Sequence, residues 1–251
     1  MNRSVLVLAI ALAAGLLPTL AQADDSPLSF NVGAVSDYRY RGISQSRLGP
    51  AVQGGADYAQ GPFYAGTWLS TIQWVKDAGR AVGADSGDAP VEWDVYGGFK
   101  GAVSKDLSYD VGLLGYIYIG ESFGNIGLSS PNTGEVYGAL TFGPVTGKVS
   151  VSLTDLFGVP DSTGSFYADL SANFDLGHGF SIVPHVGYQD VAGADQLSYT
   201  DYSLTLAKDF GKGLSATLAV IGTDAEKTLY VTSGGQSTAD TGVVVGIKYA
   251  F

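Results

Sequence analysis

Two histidines are the first residues to consider for catalysis, because acyl hydrolases and acyltransferases use a histidine to take the proton of a serine. His178 lies between two glycines, which is typical of a solvent-exposed tight turn. His185 follows Pro184, and no serine is spaced from it in a way that suggests a pair. We therefore predict no catalytic residue, and an enzyme is the weakest of the hypotheses considered below.

Acidic residues offer a second kind of chemistry. Glu92 and Asp94 lie two positions apart, which on a strand separates them by roughly 6–7 Å and resembles a glycosidase pair. With Asp37 and Glu135 they could instead give oxygen ligands to calcium, as could the loop at residues 82–88. Neither set has the fixed ligand spacing of a calcium loop. The sequence has no cysteine, which excludes zinc–thiolate sites and a catalytic thiol. We predict neither a metal nor a cofactor.

The composition limits the kind of protein that carries these groups. Charged residues make up 15% of the 251 residues, against roughly 25% in an ordinary soluble domain, and 36 residues are glycine. The net charge of −11 argues against a nucleic-acid partner. Residues 1–23 carry Arg3, an apolar run and a small-x-small ending, which predicts a secretory signal peptide. Residues 24–251 are then one exported domain.

One pattern of alternating apolar and polar residues repeats through that domain. Stretches of about ten residues alternate apolar and polar side chains, which is the period of a strand with two different faces. The last stretch is the clearest, because Val243, Val245, Ile247, Tyr249 and Phe251 share one face. Twelve strands are predicted, at residues 29–41, 51–60, 63–74, 91–103, 107–120, 133–143, 145–154, 165–177, 179–190, 198–210, 214–223 and 241–251.

The connections between these strands alternate in length. Every second connection is tight, whereas the others, around residues 75–90, 121–132, 155–164, 191–197 and 224–240, are long and polar. Such asymmetry is typical of an outer-membrane barrel with both termini in the periplasm. Tilted strands of this length can cross the hydrocarbon layer, and a closed barrel leaves no strand edge unpaired in lipid. The predicted fold is all-β, a single antiparallel transmembrane β-barrel of about 12 strands.

If the apolar faces contact lipid, the opposite faces line the lumen. On the first strand this rule places Tyr38 and Tyr40 outside, in an aromatic girdle, and the intervening Arg39 inside. The basic residues of that strand then share the upper lumen with an acidic cluster. The predicted pore-lining residues are Asp37, Arg39, Arg41, Tyr64, Trp68, Glu92, Asp94, Tyr96, Glu135 and Tyr137. Because acids outnumber bases on inward positions, we expect a weak preference for cations. The alternative is that these charges pair across neighbouring strands and fill the barrel as a rigid polar core.

Four motifs also resemble a known family. Residues 36–44, Ser-Asp-Tyr-Arg-Tyr-Arg-Gly-Ile-Ser, resemble a signature near the start of the TorF-like porin family. Residues 63–70, 92–96 and 135–137 are similar to its later motifs in the same order, so the resemblance covers essentially the whole exported domain. One departure is at residues 118–120, where the family commonly has a proline. The resemblance implies an outer-membrane location and a pore, and it leaves the solute open.

These observations together predict a narrow channel in the outer membrane of a Gram-negative bacterium, for passive diffusion of small solutes. The expected partners are outer-membrane lipid, small solutes, and the barrel-assembly machinery through the C-terminal Phe251. Two alternatives stay open: a structural outer-membrane barrel without conductance, and a lipid-modifying enzyme.

Overall fold

The computed structural model describes residues 27–81 and 83–251, so the predicted signal peptide at residues 1–23 lies outside the described residues. The strands are β1 (Leu28–Val35), β2 (Arg39–Tyr40), β3 (Ile43–Ser44), β4 (Ala51–Gln60), β5 (Phe63–Thr71), β6 (Val91–Ala102), β7 (Leu107–Tyr118), β8 (Thr133–Phe142), β9 (Val145–Ser152), β10 (Phe166–Ala172), β11 (Phe174–Gly177), β12 (Phe180–Asp190), β13 (Tyr199–Gly211), β14 (Leu214–Thr223) and β15 (Gly242–Ala250). One helix, α1 (Trp74–Ala81), and two 3-10 turns (Phe123–Ile126 and Asp195–Leu197) lie in the connections. No helix in the described parts of the chain is long and apolar enough to cross a membrane.

The sheet closes on itself. Each long strand pairs antiparallel with the next one in the chain, and β1 pairs with the last strand, β15, in a register that sets Val32 opposite Tyr249. β11 continues β10 past Asn173, and both pair with β12, so the two together form one barrel strand. The result is a closed antiparallel barrel of twelve strands, which confirms the predicted fold.

The outer surface is apolar, as the alternation predicts. On β15, Val243, Val245 and Ile247 are all more than half exposed, whereas Val244 between them is buried. Exposed aromatic side chains gather at both ends of the barrel. Phe30 stacks on Phe251 at one end with ring centroids 5.8 Å apart. The exposed aromatic residues at the other end are Trp93, Tyr188 and Tyr202.

The two ends of the barrel differ in their connections. At one end, here called the turn end, adjacent strands are joined by tight turns such as Gly61-Pro62, and the start of β1 and the end of β15 lie there. At the other end, the loop end, the strands are joined by long segments, one of which contains α1. This alternation confirms the predicted pattern of short and long connections. The helix was not predicted, and the strand expected to reach residue 74 ends at Thr71.

The first strand is the main correction. The predicted strand 29–41 stops at Val35, and residues 39–44 form the small β2–β3 hairpin instead. Tyr38 and Tyr40, expected in an outer aromatic girdle, are only 3% and 9% exposed and lie inside the barrel. The parity rule fails here because the chain leaves the wall after Ser36, whose hydroxyl accepts a hydrogen bond from the backbone N–H of Val245 at 2.9 Å. Beyond that point the alternation belongs to a hairpin and not to a barrel strand.

Candidate functional site

The hairpin that replaces the end of the first strand crosses the lumen near the loop end. We call residues 36–46 the lumen hairpin. Its turn is Arg41-Gly42, and both residues have positive φ values, 46° and 83°, as a two-residue type I′ turn requires. A Cβ atom at Gly42 would lie 2.8 Å from the Cβ of Asp201 on the wall, so the turn also needs glycine for space. The tip therefore fits closely against β13 and β14.

Asp37 organises the base of the lumen hairpin. Its carboxylate accepts hydrogen bonds from the Ser44 hydroxyl at 2.5 Å and from Nε of Arg39 at 2.7 Å. Arg39 also donates to the backbone carbonyl of Asp240 at 2.6 Å, in the connection that leads into β15. The Ser46 hydroxyl accepts from the backbone N–H of Tyr38 at 2.8 Å. These bonds satisfy the polar groups of the hairpin where it leaves the wall.

Arg41 joins the tip of the lumen hairpin to three wall strands. Its Nη2 donates to both oxygens of Glu135 on β8, at 2.9 and 2.8 Å, and its Nη1 donates to Gln189 on β12 at 2.6 Å. The guanidinium lies between the rings of Tyr40 and Tyr167, 4.7 and 4.3 Å from their centroids. Burial alone would lower the pKa of Arg41, but the charge of Glu135 raises it, and the net pKa lies above the ordinary value. Both side chains of this pair are 2% exposed.

Two tyrosines of the lumen hairpin bind the opposite wall. The Tyr38 hydroxyl donates to Glu92 on β6 at 2.6 Å, and the Tyr118 hydroxyl donates to the other carboxylate oxygen at 3.0 Å. The Tyr40 hydroxyl lies 2.5 Å from that of Tyr116 on β7. Because the same hairpin reaches β6, β7, β8 and β12, its side chains span the lumen from wall to wall.

Asp94 is the exception in this network. It is 4% exposed, and its Oδ1 has no hydrogen-bond partner among the described residues. It lies opposite Trp68 in the β5–β6 register, and Trp68 packs edge-on against Tyr38 at 5.5 Å. Asp94 is therefore an acid at the hairpin level that no described side chain neutralises.

A second polar layer lies closer to the turn end. Tyr64 and Tyr137 share a hydrogen bond between their hydroxyls, and Tyr64 also donates to Asp110. Tyr96 donates to Asp57 on β4 at 2.5 Å. These tyrosines extend inward over glycines on neighbouring strands, and we expect them to narrow the lumen below the hairpin.

His185 lies among carboxylates in the lumen wall. Its Nδ1 is 3.5 Å from Asp201, its Nε2 is 4.0 Å from Asp169, and the Tyr167 hydroxyl lies 3.2 Å from Nε2. The register places Ser171 and Ser203 opposite His185, although neither forms a hydrogen bond with it. Within the described residues, no group of three or more His, Cys, Asp or Glu side chains is arranged to hold a metal ion.

The ten predicted pore-lining residues all lie on the inner side of the barrel. Nine are buried, and Trp68 is partly buried. The structure gathers Asp37, Arg39, Arg41, Glu92 and Glu135 at the hairpin level. It pairs them directly with one another or with tyrosines, and does not hold them as opposed charges across open solvent. Whether they line a permeation path stays a prediction.

Some residues of this site were not identified from the sequence. Asp57 has inward parity on β4 and could have been included by the same rule. Gln189 also has inward parity, but an amide gives no charge signal. Tyr38 and Tyr40 were placed on the wrong side because the alternation of residues 36–41 looks the same in a strand and in a hairpin.

A family model described as a bacterial protein of unknown function (Gcw_chp) matches residues 21–251. The chain belongs to the Gcw_chp family. A comparison with the curated proteins found no match.

Solved structures of porins share the fold of this Gcw_chp protein. The KdgM porin gives a TM-score of 0.55 at 10% identity, covering 89% of this chain and 99% of that one. The NanC porin gives 0.51 at 11% identity, covering 89% and 98%. The porin fold implied by the motif resemblance is thereby confirmed, whereas the TorF-like name is not supported.

Proposed function

We propose that this Gcw_chp protein is an outer-membrane channel that passes small solutes by passive diffusion. The observation that carries the proposal is a closed barrel of twelve strands with an apolar outer surface, aromatic residues at both ends, and a charged interior. In lipid such a barrel pairs the backbone N–H and C=O groups of every strand with those of its neighbours. A lipid-facing aromatic girdle is typical of outer-membrane barrels.

The difference between the two ends supports an orientation. Outer-membrane barrels have short periplasmic turns and longer extracellular loops. We therefore place the turn end, with both termini, in the periplasm of a Gram-negative bacterium and the loop end outside. Phe251, an exposed aromatic residue at the end of β15, is the group that we expect the assembly machinery to recognise.

The interior charge supports a weak preference for cations. The inward acids are Asp37, Asp57, Glu92, Asp94, Asp110, Glu135, Asp169 and Asp201, and the inward bases are Arg39, Arg41, Lys100, Lys148 and Lys248. Asp175 and Asp209 are exposed at the turn end and are not counted among the inward acids. The remaining acids still outnumber the bases.

The lumen hairpin favours a second candidate, a structural barrel without conductance. Its contacts with β6, β7, β8 and β12 fill the lumen at one level, and the ion pair there is buried. In the channel proposal this arrangement is the closed conformation, and solutes pass when the hairpin releases its contacts with these wall strands.

Single-channel recording of the refolded barrel in a planar bilayer, under a salt gradient, tests the proposal. We expect discrete, salt-dependent current steps with a reversal potential on the cation-selective side. A reversal potential on the anion-selective side would contradict the cation preference alone. A folded barrel that stays silent, even when the hairpin is destabilised as described below, would favour the structural barrel.

A further inference from the structure

A cavity of about 480 Å³ lies at the loop end, directly above the lumen hairpin. Its floor includes Tyr40 and Ile43 of the hairpin, and its walls come from the long connections, including α1 through Trp74 and residues 224–240 through Leu229. A volume in this range is typical of a site that encloses a small organic molecule. The cavity is therefore large enough for a ligand that contacts the hairpin and the loops at once.

The walls of this cavity are apolar although they lie beyond the surface that faces lipid. Leu229 is 45% exposed and lies in the connection between β14 and β15. Trp74 packs edge-on against Phe123 with ring centroids 5.8 Å apart, and Phe157 packs the same way against Tyr40 at 5.7 Å. Aromatic and aliphatic walls of this kind favour a ligand with a flat apolar body.

The charged residues that line the cavity are Arg41, Arg47 and Asp77, and each already has a partner. Arg41 donates to both oxygens of Glu135, and Arg47 donates to Asp77 at 2.6 and 2.9 Å. Nε of Arg41 and Nε1 of Trp74 have no hydrogen-bond partner among the described residues, but both atoms are buried and out of reach of a ligand. A charged ligand would lose its hydration here without gaining an ion-pair partner, which is unfavourable. The cavity therefore favours a neutral ligand.

We propose that the loop-end cavity binds a small, neutral, mainly apolar molecule with the bulk of two fused aromatic rings, and that this ligand holds the lumen hairpin closed. The inference rests on the proposed function in one respect, since it takes the hairpin as the gate of the channel. The ligand packs against Tyr40 and Ile43, and these contacts exist only while the hairpin is bound to the wall. A ligand that binds one of two conformations more tightly shifts the equilibrium toward that conformation.

The lumen below the hairpin indicates that this ligand is not the permeant solute. There Tyr64 donates to Asp110, and the ammonium groups of Lys100 and Lys148 lie 5.4 and 4.3 Å from the ring centroids of Tyr64 and Tyr137. These charged and hydroxyl groups would have to lose water for an apolar molecule to pass, which is unfavourable. The cavity is thus a regulatory site above a polar pathway.

Binding is tested with the whole barrel in lipid nanodiscs, by calorimetry against empty nanodiscs of the same lipid. The probes share one ring system: 2-naphthylmethanol is neutral, 2-naphthylmethylamine is a cation and 2-naphthoate is an anion. After subtraction of uptake by lipid, we expect saturable one-site binding of 2-naphthylmethanol, at least about tenfold tighter than that of either charged probe. Leu229→Trp should fill the cavity and weaken this binding about tenfold or more. Leu153→Trp, the same change at a residue that is 56% exposed and lies outside the cavity, should leave it unchanged.

Closure is tested by amide hydrogen exchange of residues 36–46 in the same nanodiscs, which requires no current. With 2-naphthylmethanol at about ten times its Kd, exchange of these amides should slow roughly tenfold, because the ligand binds the closed hairpin and not the released one. Exchange in β9, which lies in the barrel wall, should not change. Leu229→Trp should abolish the effect of the ligand on the hairpin.

Four results would overturn the proposal: uptake that empty nanodiscs match, equal affinity for the charged probes, saturable binding that Leu229→Trp leaves unchanged, or hairpin exchange that the bound probe does not slow. The failure of the proposed function is distinguishable from these results. A barrel that binds the probe and protects the hairpin but carries no current would reject the channel and keep the site, whereas a conducting barrel without saturable binding would reject the site alone.

Discussion

Replacing Arg41 by alanine should open the lumen. In the folded barrel its guanidinium donates to Glu135 at 2.8 and 2.9 Å and to Gln189 at 2.6 Å, and it stacks between Tyr40 and Tyr167. None of these contacts belongs to the ladder of the barrel strands. The variant should therefore weaken the contacts between the lumen hairpin and the barrel wall. The ring of paired strands should stay intact.

The size of the effect follows from the burial of the pair. Arg41 and Glu135 are both 2% exposed, so the variant leaves a carboxylate buried without its partner. Removing one member of such a pair costs about 3–5 kcal/mol. At about 1.4 kcal/mol for each factor of ten, the equilibrium between seated and released hairpin shifts by roughly a hundred to a few thousand fold. A hairpin that is released a small fraction of the time in the native protein would be released most of the time.

The assay is the open fraction of single barrels in a planar bilayer, with heat-modifiable gel migration to confirm folding. Lys227→Ala is the matched control, because its pair with Asp240 is 2.6 Å long but 62% and 52% exposed on the two sides. An exposed pair contributes about 0–1 kcal/mol, so this variant should behave like the native barrel. The variant Arg41→Ala should instead show long open periods.

A double-mutant cycle shows whether the unpaired Glu135 carboxylate causes the opening in Arg41→Ala. Adding Glu135→Ala to Arg41→Ala removes the buried unpaired carboxylate, and the double variant should be less open than the sum of the two single changes predicts. A folded Arg41→Ala barrel with native open fraction would refute the reasoning, since the hairpin would then be held by other contacts. Simple additivity of the two changes would refute the role assigned to the ion pair.

Three further predictions concern other parts of the chain. Neutralising Glu92 and Asp94 together, as Gln and Asn, should move the reversal potential toward anions in a salt gradient; an unchanged potential removes both from the path. Burial raises the pKa of Asp77, but hydrogen bonds, chiefly from its arginine partner, leave it below the ordinary value of about 3.9. The carboxylate therefore stabilises the loop end at higher pH, and this stabilisation is lost as the pH falls below about 4. Lower amide-exchange protection factors, corrected for the intrinsic rate at each pH, in residues 224–240 below about pH 4, with no such pH dependence in Asp77→Asn, check this. Gly42→Ala should release the lumen hairpin at a cost of about 1–3 kcal/mol, raising the open fraction, whereas Gly61→Ala, at a positive φ but with nothing within 4 Å, should leave it unchanged.

The barrel could be predicted from the sequence because each strand carries the same local signal. Alternation on β15 fixes which side chains face out, and a barrel wall has only two sides, so one correct assignment per strand places every residue of it. The lengths of the connections then define the two ends. This information is local to each strand, and no knowledge of the rest of the fold is needed to use it.

The lumen hairpin could not be predicted in this way, because residues 36–41 alternate as a strand does. What distinguishes them is Gly42 after Arg41, a turn signal that the parity rule does not use, and polar partners more than a hundred residues away, such as Gln189. A long-range network of this kind leaves no period in the sequence. The cavity above the hairpin was missed for the same reason, since its walls come from loops that were assigned only by their length.

The residues that most resemble a family signature therefore have a different role from the one that their position suggests. Residues 36–44 do not form the top of a strand with a girdle of tyrosines. Asp37 holds the base of the lumen hairpin, Gly42 permits its turn, and Arg41 holds its tip. Each of these residue types is needed by that geometry: a carboxylate that accepts several hydrogen bonds, a residue without Cβ, and a planar cation that binds a carboxylate through two contacts. A signature of this composition is expected where a chain must leave the barrel wall and cross a lumen. Its presence in another barrel sequence predicts that a hairpin there also crosses the lumen and binds the wall, whatever solute that barrel carries.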